Sequence, residues 1–234
     1  MNKLYLIPTT LGDTAPEQVL PSGTLETVRG LSIFVVEELR SARRFLSAAG
    51  FRGHVEELEL HVLNEHSTPS EISALGSLFA KGDVGLLSEA GLPAVADPGA
   101  ALVELCHRLG VEVVPLTGPS SLMLALMASG LNGQSFAFRG YLPAKTEERR
   151  SAIRRTEKDS AALDQTQIFI ETPYRNDALL SDFLGCLSGS TRLCIAADLT
   201  LPTQTVISRT VAEWRRGESI IIGKRPCVFL ILAR

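Results

Sequence analysis

"LSEAGLPAVADPGAALV", Leu87–Val103, leaves an apolar run at Ser88 and Glu89, turns through Gly91, Pro93, Pro98 and Gly99, and resumes as an apolar-periodic stretch. Strand-to-helix connections in α/β units take about two to six residues. This one is longer and carries two carboxylates, Glu89 and Asp97. Asp97 before Pro98 reads as an N-cap with proline at the first helical position, and Leu102, Leu105, Cys106 and Leu109 form one apolar stripe that Gly110 closes. Val84–Glu89 before the turn and Val111–Leu116 after it are β-rich, so the stretch reads as the turn of a βαβ crossover. Sheets built from such units place ligands beyond the carboxyl ends of their strands.

Moving outward, Lys3–Pro8, Leu31–Glu37 and His54–Leu60 read as three further strands separated by helical stretches, which predicts a mostly parallel sheet between helices. After the fifth strand, "TGPSSLMLALMASGL" gives a Gly-Pro break, two capping serines and an apolar helix that Gly130 stops. The domain boundary is placed there, giving residues 1–116 and 117–234. Beyond it "SFAFRGYL", "TQIFIET", "RLCIAAD", "TQTVISR" and "CVFLILA" supply strands, with helices around Glu147–Lys158 and Arg175–Leu187. Short connections between several of these strands predict a mixed sheet. The fold class is therefore α/β in two domains, and Trp214 is expected to pack a helix onto the second.

Composition narrows the function. The chain has 234 residues, 45% hydrophobic and 21% charged, with a net charge of -3. This is globular, and the acidic balance argues against general coating of nucleic acid while leaving room for a local basic stripe. The longest apolar runs, Leu122–Ala128 and Cys227–Ala233, fall far short of the ~18 residues of a spanning helix, and "MNKLYLIPTT" lacks the apolar core of a secretory signal. No membrane association and a cytoplasmic location are expected. Cys106, Cys186, Cys194 and Cys227 make no C-x-x-C pair, and His54, His61, His66 and His107 show no zinc-binding spacing, so buried reduced thiols and no metal are expected. Phosphate-cradling patterns are missing too. There is no G-x-x-x-x-G-K-[ST], and "PTTLGDTAPEQ" follows the first strand in place of G-x-G-x-x-G. The loops offer backbone, small hydroxyls and carboxylates without lysine, which suits a ligand that carries no phosphate.

Five blocks in order resemble the tetrapyrrole methylase superfamily, most of all its branch of 16S ribosomal RNA cytidine 2′-O-methyltransferases. "IPTTLGD" (7–13) resembles that family's P-T-P-x-G-N turn, and Leu87–Val103 its S-D-A-G-x-P-x-x-x-D-P-G signature. "PLTGPSSLMLALMASGL" resembles P-x-P-G-P-[CS]-A with its apolar helix, "GYLPAKTEERR" (140–150) the block G-F-L-P-x-K…R-R, and "IFIETPYR" a strand ending F-Y-E-[SA]-P-H-R. The chain departs from the branch at "EELR" (37–40), where E-D-T-R is usual, at "HVLNEHS", and at its carboxyl end "KRPCVFLILAR".

The resemblance implies a homodimeric two-domain enzyme that binds S-adenosylmethionine between its domains. Carried over residue by residue, the cofactor is expected at Pro8 and Gly12, at Ser88, Glu89, Ala90, Gly91 and Pro93, at Asp97, at Gly118, Ser120 and Ser121, and near Phe169. Valine at Gly91 or Gly118 is expected to block it and leave the fold largely intact. If the acceptor is a ribose hydroxyl, a base helps, and Glu37, Glu38, Asp97 and Glu171 are candidates near strand ends. Arg40, Lys145, Arg149, Arg150 and Arg175 are candidate substrate contacts, and Lys145, Arg149 and Arg150 with Arg154, Arg155 and Lys158 form a basic cluster that fits an RNA backbone of the small ribosomal subunit or, equally, a solvated helix face. The alternatives to RNA methylation are methylation of a small molecule such as a tetrapyrrole precursor, and a non-catalytic module that binds the cofactor.

Overall fold

The computed structural model describes residues 2–233, and the chain divides into two compact units, Met1–Ser120 and Ser121–Arg234. The first unit runs β1 (Lys3–Ile7), α1 (Ser22–Arg29), β2 (Ile33–Val36), α2 (Leu39–Leu46), β3 (Glu59–Val62), α3 (Pro69–Leu75), β4 (Val84–Leu87), α4 (Ala100–Leu109) and β5 (Glu112–Pro115). All pairings are parallel, in the order β3-β2-β4-β1-β5. Alternate residues of each strand point to opposite faces, so helices are needed on both sides. On one face Leu4, Val35, Val84 and Leu86 meet Leu75 of α3 and Leu102 and Cys106 of α4. On the other Ile7, Phe34, Val36 and Leu87 meet Leu25 and Val28 of α1 and Leu46 of α2. Every residue of β2 and β4 is therefore buried.

Two expectations are corrected here. Within His54–Leu60, Val55–Glu57 instead forms a single 3-10 turn, and the strand starts only at Glu59. A hydrogen bond of 2.8 Å between His54 Nδ1 and Glu57 Oε1 spans that turn, a contact three residues apart that an extended strand does not allow. Asp97 is likewise not the cap of α4. Gly99, at φ 131°, holds that position and Pro98 lies before the helix.

The second unit comprises α5 (Ser121–Ser129), β6 (Phe136–Gly140), α6 (Thr146–Leu163), β7 (Thr166–Ile170), α7 (Asn176–Cys186), β8 (Arg192–Ala197), β9 (Thr205–Thr210), α8 (Val211–Arg216) and β10 (Cys227–Leu232). Its sheet is mixed, in the order β6-β7-β10-β8-β9, with only β6 and β7 parallel. Phe169, Phe183 and Phe229 stack at the centre, with ring centroids 5.5 and 5.7 Å apart. Trp214 of α8 is buried there, its indole N–H donating to the Leu193 carbonyl at 2.9 Å. The cysteines are free, Cys106, Cys194 and Cys227 buried, and burial pushes the Cys227 thiol up to about 12.

Candidate active site

In the first sheet β1 leads towards β2 on one side, whereas its neighbour β4 leads to β5 on the other. The chain therefore diverges at the carboxyl ends of β1 and β4, the place where open α/β sheets form a crevice. The two loops are tied together across it. Thr9 N–H donates to the Gly91 carbonyl at 2.9 Å, the Ser88 hydroxyl donates to the same carbonyl at 3.1 Å, and the Thr9 hydroxyl donates to the Ser88 carbonyl at 3.3 Å.

The loop from Ser88 to Gly99 is tightly bent. Gly91 has φ 80°, and two alanines, Ala94 at φ 63° and Ala96 at φ 64°, also sit in the left-handed region. That conformation is unfavourable for a residue with a Cβ by about 1–2 kcal/mol, and such strain concentrates at functional sites. A third loop closes in from Thr117. A side chain at Gly118 would place its Cβ 2.3 Å from Cβ of Pro8, so the two backbones approach as closely as they do only because glycine is there. Thr24 fixes this turn by donating to the Thr117 carbonyl at 2.9 Å.

Three carboxylates converge on this corner. Glu37, just past β2, is half-buried, accepts a hydrogen bond from the Glu89 backbone, and leaves Oε2 buried with no partner. Desolvation first, then the negative charges of Asp97 and Glu89, push its pKa up to about 7. Desolvation and Glu89 raise Asp97 to about 6, against a hydrogen bond from Ser88. Because Asp97 does not cap α4, its carboxyl is available to this cluster. No basic side chain appears among the causes of either shift.

A cleft of about 270 Å³ opens beside the cluster, walled by the β1 loop from Thr9 to Thr14, by Glu89 and Ala90, and by Ser41, Arg44, Phe45 and Ala48 of the helical segment that α2 begins. The Ser41 hydroxyl links helix to loop by donating to Glu89 Oε1 at 3.2 Å. Gly12, Glu89 and Ala90 are thus brought together in this cleft. Pro8, Ser88, Gly91 and Pro93 lie in the loops behind it. Ser120 ends the first unit, and Ser121 opens α5 in the second.

Several candidates have other work. Glu38 caps α2, accepting from the backbone N–H groups of Arg40 and Ser41 at 2.8 and 2.7 Å; those bonds lower its pKa, making it a poorer base than Glu37. Phe169 is fully buried in the second core, so its side chain cannot reach a ligand. Arg149 is buried too, its guanidinium 2.6 Å from Asp182, with Arg150 on the other oxygen at 2.8 Å. Glu171 and Arg175 pair with each other at 2.6 Å. Arg40 and Lys145 are exposed. Among the described residues no cluster could hold a metal ion.

One feature escaped the sequence pattern. Between β8 and β9, Asp198 and Thr200 have φ of 52° and 72°, and the Thr200 hydroxyl is buried without a partner. Asp198 holds the bend by pairing with Arg225 at 2.6 Å. A β-branched residue in that conformation is an outlier. "DLTLPT" announces a turn, but nothing in it announces which residue is left-handed.

A model of the tetrapyrrole (corrin/porphyrin) methylases matches residues 28–214. A curated relative from Vibrio cholerae, named ribosomal RNA small subunit methyltransferase I, is 33% identical over 94% of this chain and 76% of its own length. Its namesake from Escherichia coli O157:H7 is 30% identical, over 94% and 77%. Among solved structures, uroporphyrin-III C-methyltransferase from Thermus thermophilus, crystallised with S-adenosylhomocysteine, aligns with a TM-score of 0.58 at 18% identity, over 99% of this chain and 97% of that one. That last likeness speaks to fold alone, and it agrees with the two α/β units described above. The family match over most of the chain, the relatives' coverage and the switch-point corner converge: the chain belongs to the tetrapyrrole (corrin/porphyrin) methylase family, on the branch whose curated members are named ribosomal RNA small subunit methyltransferase I.

Proposed function

We propose that this chain is an S-adenosylmethionine-dependent methyltransferase acting on a ribose 2′-hydroxyl of small-subunit ribosomal RNA. The names of its relatives support the target. The observation that carries the chemistry is Glu37, a carboxyl near pKa 7 with one buried oxygen unpartnered, at the rim of the crevice.

The residues present fit the cofactor. Gly91 and Gly118 bring bare backbone to the corner, and carboxylates without a basic partner favour a ligand bearing positive sulfonium and amino groups. When bound, S-adenosylmethionine supplies an electrophilic methyl group on a good leaving group. The loops at Pro8–Gly12, Ser88–Pro93 and Gly118–Ser120 would hold its adenosine and methionine portions. Glu37 would accept the hydroxyl proton as the ribose oxygen becomes a nucleophile. A base works best with a pKa near the working pH, which is where burial and the neighbouring carboxylates put Glu37. Asp97 holds Glu37 up electrostatically. The bends at Ala94 and Ala96 keep the Ser88–Gly99 loop in one shape, so that alignment rather than strong acid–base chemistry supplies most of the acceleration. The same reading puts the protein in the cytoplasm with its substrate, as the homodimer that the resemblance implies. Among the described residues no helix is long and apolar enough to cross a membrane.

The test offers the purified protein methyl-labelled cofactor together with small ribosomal subunits or a small-molecule extract. Label at a ribose of the ribosomal RNA is expected. Label only in a small compound, or tight cofactor binding with no transfer to either, would overturn the reading.

A further inference from the structure

We propose that the outer face of α2, carrying Arg40, Arg43 and Arg44, is a docking track for the phosphates of a single-stranded RNA segment whose acceptor nucleotide enters the cleft beside Glu37. This rests on the RNA reading above and gives it a place on the surface.

α2 is strongly two-sided. Ala42 and Leu46 are buried against the sheet, while Arg40, Arg43 and Arg44 are all exposed. At 100° per residue the three arginines fall on one stripe, opposite the buried pair. Little neutralises them. Arg44 lines the cleft, and its side chain makes no hydrogen bond or ion pair among the described residues. Arg40 lies in the field of Glu38 without an ion pair. Arg43 reaches Glu56 at 3.8 Å, with both side chains well exposed. Exposed pairs of that kind contribute about 0–1 kcal/mol and give way to a better anion.

The basic residues at the start of α6 make the contrast, whereas Arg154, Arg155 and Lys158 further along it are exposed. Lys145 pairs with Glu148 at 3.2 Å, Arg149 is buried on Asp182, and Arg150 is shared between Asp182 and Glu147 at 2.8 and 3.4 Å. In an acidic protein, uncompensated arginines on one short helix are a local field of opposite sign to the whole. Guanidinium groups suit phosphate because their N–H fork binds its oxygens in pairs. The helix also starts one residue after Glu38 and two after Glu37, so a strand held on it passes the base. Thr10 in the cleft offers a hydroxyl suited to a sugar.

The experiment measures binding of a fluorescein-labelled, mixed-sequence single-stranded RNA across a salt series, with Arg43→Gln/Arg44→Gln compared with wild type. An Arg108→Gln/Arg216→Gln variant matches its change in net charge elsewhere. Loss of two phosphate contacts is expected to reduce the slope of log K against log salt by about 1.4, at about 0.7 per contact for single strands, and to weaken binding about tenfold at low salt. The control variant should bind as wild type does. Tm should stay unchanged in the double variant, showing that the fold is intact. Arg43→Lys/Arg44→Lys should recover most of the slope. If wild type binds RNA and the double variant binds it with the same affinity and slope, this inference falls and the RNA reading stands. A wild type with no salt-dependent RNA binding overturns both. Equal competition by polyglutamate of matched charge assigns the face to an acidic protein and also overturns the inference.

Discussion

Charged groups in the two units obey opposite rules. In the second, buried carboxylates have basic partners: Asp182 sits between Arg149 and Arg150, Glu171 is held by Arg175, and Asp198 by Arg225. At the first unit's crevice, Glu37, Glu89 and Asp97 face one another, and Glu37 and Asp97 are raised by burial and by neighbouring negative charge with no cation opposing it. Burying a carboxylate beside others is unfavourable, and a chain selected for stability alone would have supplied an arginine. The second pattern is how charges serve a fold. On the function proposed above, the first keeps them ready for a ligand that brings its own positive charge and a substrate that brings a proton.

Substituting Glu37 tests this contrast with the largest expected effect. Glu37→Gln is expected to lower methyl transfer by about 10²–10⁴-fold, the range for loss of a general base, while binding of S-adenosylhomocysteine changes little. Wild-type activity should climb with pH, with a midpoint near Glu37's value of about 7, because only the ionised form takes a proton. Stability should run the other way. A carboxyl raised from 4.5 to about 7 holds its proton longer when folded, so its contribution favours the folded state at low pH and declines as pH rises through that window. The glutamine variant should therefore melt higher than wild type at pH 8 and gain less at pH 5. A flat activity profile, or a variant of undiminished rate, removes Glu37 from the mechanism.

The opposite outcome is expected for Asp182→Asn. It leaves Arg149 buried without its counter-ion, and breaking a buried pair in this way costs about 3 kcal/mol or more, lowering Tm by about 6–12 °C for a chain of this size. The guanidinium groups hold Asp182 below its ordinary 3.8, so the stability it contributes is present above that value and fades as pH falls below it. The effect should vanish at low pH, and methyl transfer per folded molecule should be unchanged. If Asp182→Asn instead abolishes activity without unfolding, Arg149 belongs to the substrate and not to the core.

These two tests separate residues that sequence alone could not. Short apolar runs located β1, β2 and β4 to within a residue or two, because strands buried on both faces have no alternative use for Phe34, Val35 or Leu86. The long turn after β4 stood out as more than a connection because glycine, proline and two carboxylates are gathered in it. What could not be read was set by long-range geometry. Arg149 and Lys145 look alike in "AKTEERR", and only the position of Asp182 on another helix makes one buried and the other free. The start of α4 depended on which of Ala96, Asp97 and Gly99 took left-handed conformations, a choice fixed by the surrounding loops. Asp97, the most plausible cap by residue type, became a member of the carboxylate cluster for that reason.

Gly91 and Gly118 sharpen the point on a smaller scale, since the sequence treats both as cofactor glycines. Gly118→Ala is expected to disturb the fold. Its Cβ would lie 2.3 Å from Pro8, and overpacking of that kind costs about 1–3 kcal/mol, so valine at Gly118, contrary to expectation, does not leave the fold largely intact. Gly91→Ala meets Leu11 Cδ2 at 3.1 Å and the Pro119 carbonyl oxygen at an ordinary 3.6 Å, but must hold φ 80°. It should lose about 1–2 kcal/mol and, because Gly91 carries the carbonyl that binds Thr9, at least tenfold in cofactor affinity. Equal loss of stability and affinity in both variants would show that the corner is one rigid piece, with no division between its support and its ligand-facing surface.

The smallest effect is expected at Ala96, where strain itself is the variable. Ala96→Gly relieves a left-handed alanine, worth about 1–2 kcal/mol, and adds freedom to the unfolded chain, worth about 0.4–1 kcal/mol in the other direction. The net change should be nil to about 1.6 kcal/mol stabilising, a Tm rise of no more than about 6 °C. Binding should respond with the opposite sign. With glycine at position 96 the loop has other shapes open to it, and the fraction that keeps Asp97 against Glu37 falls, so S-adenosylhomocysteine should bind a few-fold more weakly to a protein that is no less stable. A fall in Tm comparable to that of Gly91→Ala would mean that the alanine methyl contributes packing that outweighs the strain, and the bend would then belong with the paired carboxylates of the second unit, as part of what holds the molecule together.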